Sequence, residues 1–221
     1  MNEDFSISQG EGLRIVSDLA MSGGICFAIT SQWAFLGLRG ESYDTEVVTG
    51  QTFKRQKGGG SFAPLVEKTV DATVQKGFFS LVSLQRGYDL IDLRLADKMD
   101  AGQQDVFFKT ASEFSEKYLD SLSKREGFKL AAMQTFKSVD EVVDKLAFDK
   151  SAVDLIGIFG IEKGHNWGHV VASGNNGKCL FFDANSGQFS GLSSDIRDDI
   201  ASYLKSNYDG IQNCALYTIA K

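Results

Sequence analysis

Apolar runs in the last third of the chain constrain the fold more than any other feature of the sequence. They cover Leu155 to Ile161, Trp167 to Ser173 and Lys178 to Asp183, and a weakly alternating run follows at Cys214 to Ile219. The sequence SGNNGK separates the second run from the third. Since Asn and Gly adopt positive φ at little cost, this sequence is typical of a hairpin turn. The pattern predicts an antiparallel sheet in this part of the chain.

Helical patterns dominate the earlier two thirds. A glycine-rich break at Gln56 to Ser61 precedes a helix that begins near Pro64, where proline costs no hydrogen bond. A second helix is predicted from about Gln103 to Leu122, and a third begins at Ser138 with a capping box, Ser-Val-Asp-Glu. Helices followed by an antiparallel sheet predict an α+β fold, with the helical region packed on a C-terminal sheet. We expect residues 1–221 to form a single domain.

The composition excludes several classes of function. The net charge is -6 and there is no long basic run, which disfavours nucleic-acid binding and attachment to anionic membranes. The three Cys show no CxxC motif and only two His are present, so we expect no metal site, no cofactor and reduced thiols. The first twenty residues are acidic and lack the apolar core of a signal peptide. We therefore expect any export to use a route without a Sec signal.

Cys26 opens the apolar stretch GGICFAITSQW, in which Ile29, Trp33 and Leu36 follow at helical spacing. This spacing places Cys26 in the first turn of a buried helix, where unpaired N–H groups and the helix dipole favour a thiolate. The preceding glycines would let a substrate backbone approach the sulfur. The Cys26 N–H would face a developing oxyanion. These properties indicate that Cys26 is a nucleophile.

A thiolate nucleophile requires a base, and the sequence offers His165 and His169. His165 lies in a turn-like stretch, whereas His169 lies within the predicted strand WGHVVA, which would hold a general base rigidly. The second ring nitrogen then needs an acceptor. Asp183 ends the adjacent run across the Asn-Gly turn, where antiparallel pairing brings it close to His169. The residues predict a Cys26–His169–Asp183 triad.

Each of these residues also has a purely structural interpretation. Cys26 can be a small buried apolar residue, His169 a core histidine bonded to the backbone, and Asp183 a turn residue. The combination of the three is more specific than any one of them. Cys179 and Cys214 lie in strand-like runs, and we expect both in the core.

Three blocks, GGICFAITSQW, GHVVA and LFFDANSGQF, resemble the motifs of the YopT-like effector cysteine proteases, a branch of the papain-like clan. In that family the first block carries the nucleophilic Cys, the second the His and the third the acid. Matched residue by residue, these are Cys26, His169 and Asp183, and Trp33 matches the structural Trp of the first helix. Ala184 stands where the family usually has proline.

The resemblance implies a papain-like fold and a cysteine peptidase that cleaves a host protein. It also implies a bacterial virulence effector or toxin that is secreted without a Sec signal and acts in the host cytosol. Related toxins deamidate or cross-link glutamine with the same triad, so a glutamine deamidase or transglutaminase is the second hypothesis. A binding module in which the three residues are structural is the third. Asp18, Ser22 and Gln32 are all candidates for an oxyanion-hole side chain.

Overall fold

The computed structural model describes residues 1–6, 26–40, 99, 101–192 and 195–221. Within these ranges the chain forms a seven-stranded sheet in which all paired strands are antiparallel. The strands are β1 (Asn2–Ser6), β2 (Lys129–Phe136), β3 (Ala152–Glu162), β4 (His165–Asn175), β5 (Cys179–Asp183), β6 (Gly187–Gly191) and β7 (Ile211–Ala220). The helices are α1 (Cys26–Arg39), α2 (Gln104–Arg125), α3 (Val139–Asp144) and α4 (Ile196–Asn207), and a 3-10 turn, Ala101–Gln103, precedes α2.

Tight turns connect the central strands, whose order in the sheet is β1-β6-β5-β4-β3-β7-β2. The β3–β4 hairpin turns at Lys163 and Gly164, which both have positive φ, the geometry that matches the twist of a two-residue hairpin. The β4–β5 hairpin turns at the predicted Asn-Asn-Gly sequence, where the Gly177 N–H donates to the Asn175 side chain over 2.8 Å. These turns place β4 and β5 side by side.

The central strands are buried on both faces of the sheet, which explains their nearly continuous apolar runs. One hydrophobic cluster joins α1 and α2 to one face, through residues such as Val170 and Phe182. A second cluster joins α3 and α4 to the other face, through residues such as Val171 and Phe181. Successive residues of a strand therefore belong to opposite clusters, as strand geometry requires.

Helix α1 is apolar on nearly all sides, as expected of a helix enclosed by the protein. Thr30 Oγ1 donates to the Val170 carbonyl oxygen over 3.1 Å, which links α1 directly to β4. Trp33 is fully buried and stacks on Phe182, with ring centroids 5.1 Å apart. Its indole N–H donates to Gln188 Oε1 over 2.9 Å. These contacts set the position of α1 on the sheet.

The predicted α+β class is confirmed, and the predicted helix at about Gln103 to Leu122 corresponds to α2. The predicted cap is also present: Ser138 accepts from the Glu141 N–H, while the Glu141 carboxylate accepts from the Lys137 N–H. None of the described helices combines the length and apolarity needed to cross a membrane. The predicted break at 56–61 and the helix near residue 64 lie outside the described residues.

Two strands, β1 and β2, come from outside the C-terminal third, and the sequence patterns did not indicate them. Both lie at the edges of the sheet. Most residues of β2 are exposed or half-buried, so this strand lacks the apolar run by which the central strands were recognised. The sheet therefore draws on the N-terminal segment and the middle of the chain as well as on the last third.

Replacing Trp33 with Ala should lower the free energy of unfolding by about 3–5 kcal/mol, because it leaves a cavity between α1 and β5. Urea unfolding followed by circular dichroism measures the change. Leu192→Ala is the matched control, since Leu192 is 75% exposed and its truncation should cost within about 0.5 kcal/mol. Equal losses in the two variants would contradict this account of α1 packing.

Candidate active site

His169 and Asp183 lie on the neighbouring strands β4 and β5 and face the same side of the sheet. Asp183 pairs with Val171, two positions beyond His169 on β4. Since side chains two positions apart on a strand share a face, the two groups are diagonal neighbours. His169 Nε2 and Asp183 Oδ1 are 2.9 Å apart. Both side chains are buried, with 7% of His169 and 0% of Asp183 exposed.

The imidazole of His169 lies between Asp183 and Cys26. An ionised carboxylate can only accept, so His169 Nε2 carries the proton of the bond to Asp183. Nδ1 is then the ring nitrogen left for Cys26, whose side chain is within hydrogen-bonding contact of the His169 ring. The structure thus brings together the three residues that the sequence singled out.

Cys26 is the first residue of α1, and its side chain is buried. Its backbone N–H has no partner within the helix, which is typical of the first turn and favourable for negative charge nearby. Strand β5 ends at Asp183, which pairs with Val171. On the edge of β4 that faces β5, no described strand therefore pairs with His169. This end of β5 is where the start of α1 meets His169.

The Asp183 carboxylate accepts four hydrogen bonds. Oδ1 accepts from His169 Nε2 and, over 2.8 Å, from the Asn185 N–H. Oδ2 accepts from the hydroxyl groups of Tyr203 and Tyr208 over 2.8 and 2.6 Å. The ring of Tyr208 also stacks on His169, with centroids 4.8 Å apart and an interplanar angle of 23°.

The turn that follows Asp183 contributes to this arrangement. The Ser186 N–H donates to the Asp183 carbonyl oxygen over 3.0 Å, and the chain then enters β6 at Gly187. Gly187 has a φ of 127°, a conformation that side chains with a Cβ rarely adopt. Ala184 occupies the position of the usual family proline and is fully buried. The turn therefore forms without proline.

Electrostatic coupling shifts the pKa of both partners. Burial alone would lower the pKa of His169, but the negative charges of Cys26 and Asp183 and its hydrogen bonds to both raise it to about 10. Burial would raise the pKa of Asp183, yet the charge of His169 and the hydrogen bonds from His169, Tyr208 and Asn185 hold it below its usual value. The arrangement therefore favours the protonated form of the His169 imidazole.

The other two thiols have different surroundings. Cys179 and Cys214 are buried in the core, as predicted. Burial raises the pKa of Cys179, and burial together with the charge of Glu141 raises the pKa of Cys214 to about 12. Among the described residues, no group of three or more His, Cys, Asp or Glu side chains is placed to hold a metal ion.

Sequence patterns missed the two tyrosines that contact Asp183. Tyr203 lies on α4, and Tyr208 follows that helix in an irregular segment, where no sequence pattern marks it. His165 is exposed at the start of β4. Of the candidates for an oxyanion-hole side chain, Gln32 lies on α1, while residues 18 and 22 lie outside the described ranges.

The Cys26→Ala variant should lower the pKa of His169 by about 1 or more, because the imidazolium loses a neighbouring anion. NMR titration of the imidazole ring in a His165→Gln background measures this pKa on the one remaining histidine. Cys179→Ala, which alters a thiol at the turn end of β5, opposite Asn175, is the control and should leave the titration unchanged. An unchanged pKa in Cys26→Ala would mean that the sulfur carries no charge that His169 senses.

Comparisons with known proteins identify the fold. No family model matches the chain, and no curated protein matches it in sequence. Among solved structures, the crystal structure of the Pseudomonas avirulence protein AvrPphB matches 93% of this chain and 100% of its own, with a TM-score of 0.52 and 12% sequence identity. The resemblance to papain-like effector cysteine proteases that the three sequence blocks indicated is therefore confirmed at the level of the fold.

Proposed function

We propose that this protein is a cysteine protease of the bacterial effector type that cleaves a host protein through Cys26, His169 and Asp183. The observation that carries the proposal is the buried His169 ring, held between the Cys26 side chain at the start of α1 and the Asp183 carboxylate on β5. A base that forms hydrogen bonds with a nucleophile on one side and with an orienting acid on the other is the arrangement of a thiol hydrolase.

In the proposed reaction, the proton of Cys26 has passed to His169 Nδ1, and the thiolate attacks the carbonyl carbon of the scissile amide. The carbonyl oxygen then carries the negative charge, which the N–H groups at the start of α1 stabilise. The imidazolium gives its proton to the departing amine as the C–N bond breaks, leaving a thioester. His169 next takes a proton from water, the hydroxide displaces the thiolate, and a carboxylic acid is released.

We also propose the biological role of this activity and the compartment in which it takes place. The match to the fold of a bacterial avirulence protein supports a virulence effector or toxin with a host protein as its substrate. We propose that it is secreted without a Sec signal and acts in the host cytosol, where reducing conditions keep the Cys26 thiol active. The proposed chemistry uses the protein's own side chains and backbone N–H groups, without a metal or a cofactor.

Iodoacetamide at about pH 6 should alkylate Cys26 and spare Cys179 and Cys214, because a thiolate paired with an imidazolium reacts where neutral buried thiols do not. Peptide mass spectrometry identifies the labelled residue, so the two core thiols serve as internal controls. His169→Gln should slow labelling of Cys26 by at least about 10-fold at this pH, since the thiolate loses its cationic partner. Equal labelling rates in His169→Gln and the unaltered protein would contradict the assigned pair.

Host-cell extract incubated with the protein should gain new protein N-termini, which terminal labelling and mass spectrometry detect. Cys26→Ala should abolish them, because it removes the proposed nucleophile, while Cys179→Ala, which alters a core thiol, should retain them. Glutamine converted to glutamate, or cross-linked to lysine, in uncleaved proteins would instead favour the deamidase or transglutaminase hypothesis. Identical extracts after treatment with the protein and with Cys26→Ala would contradict the proposed activity.

A further inference from the structure

Two phenol hydroxyls that the proposed reaction does not use converge on one oxygen of Asp183. Tyr203 on α4 and Tyr208 just beyond it both lie within 2.8 Å of Oδ2. The other oxygen, Oδ1, already accepts from His169 and from the Asn185 N–H. A carboxylate has about four acceptor sites. The four donors therefore occupy the acceptor capacity of Asp183 completely.

We propose that Tyr203 and Tyr208 are positioning residues that keep Asp183 an acceptor-only carboxylate, so that it orients His169 without taking its proton. This inference rests on the proposed function, since it assigns the two tyrosines a role in the same site. Adding a proton to either oxygen of Asp183 would place that proton against a donor and break at least one of the four hydrogen bonds.

The direction of each hydrogen bond supports this role. Asp183 cannot donate, so each tyrosine must direct its single O–H at Oδ2. Each phenol oxygen in turn has a second polar neighbour that can donate to it. Ser186 Oγ lies 2.6 Å from the Tyr203 hydroxyl, and Asn185 Nδ2 donates to the Tyr208 hydroxyl over 3.0 Å. Asn185 and Ser186 therefore leave each tyrosine proton free to point at the carboxylate.

Both phenols stay protonated under working conditions. Burial, followed by the negative charge of Asp183, raises the pKa of Tyr203 and of Tyr208. The anion that the two hydroxyls stabilise thus also keeps them as donors. Neither tyrosine can serve as a base here, which separates their role from that of His169.

Tyr208 makes a second contact that Tyr203 does not. Its ring covers one face of His169 and stacks in turn on Trp167, with centroids 6.1 Å apart and an interplanar angle of 29°. Gly160 leaves room for this column, since a Cβ there would lie 2.5 Å from the Trp167 ring. The hydroxyl of Tyr208 therefore restrains the acid, while its ring restrains the imidazole.

The test is the pH titration of the Asp183 carboxyl, followed by carbon-13 NMR, in Tyr203→Phe, Tyr208→Phe and the double variant. Each lost hydroxyl removes one hydrogen bond that stabilises the charged carboxylate. It should therefore raise the pKa of Asp183 by about one unit, a tenfold gain in proton affinity.

Tyr217→Phe is the matched control, because it removes a buried hydroxyl that donates elsewhere, to the Ser112 carbonyl oxygen over 3.2 Å. It should leave the titration of Asp183 unchanged. Tyr203 and Tyr208 would be merely structural if their Phe variants lowered the unfolding free energy without moving the titration of Asp183, and the inference would then be wrong. If the unaltered protein fails to label at Cys26, the proposed function fails instead. If one Phe variant does not fold, the other still tests the inference.

Discussion

The buried Asp183 carboxylate is the group on which the rest of the site depends. Removing an ionised carboxylate from water costs several kcal/mol unless charge and hydrogen bonds replace the lost hydration. Here the replacement comes from β4, from the turn before β6, from α4 and from the segment that precedes β7. Unless all four segments are in place, the carboxylate is left short of donors. The fold and the ionisation of Asp183 are therefore coupled.

The two faces of the sheet have different roles in this arrangement. On β4, Val170 faces the cluster that contains α1, whereas Val171 faces the cluster that contains α4. His169 shares the face of Val171 and meets Asp183 and Tyr208 there. Cys26 belongs to the α1 cluster, yet its side chain contacts the same imidazole. This contact is possible because β5 ends at Asp183, opposite Val171, before it reaches the position beside His169. His169 thus lies where the two cores meet at the end of a strand.

Much of this arrangement was predictable, because local signals encode it. The helical spacing after Cys26 predicted α1, and the Asn-Asn-Gly turn predicted the hairpin that places Asp183 near His169. The three motif blocks extend this argument, since each block combines a reactive group with the element that holds it. Strand β2 shows the limit of such signals. It lies at the sheet edge, its residues are exposed or half-buried, and it forms a strand by pairing with β7.

Tyr203 and Tyr208 could not be predicted from the sequence, and the reason is physical. A nucleophile and a base need defined positions on rigid elements, so their neighbours in the sequence are constrained. A buried carboxylate needs donors at suitable distances, but any segment that reaches it can supply them. Tyr208 does so from an irregular segment 25 residues after Asp183. The groups that set the charge of the acid therefore leave no local pattern in the sequence, because only the folded chain brings them to the carboxylate.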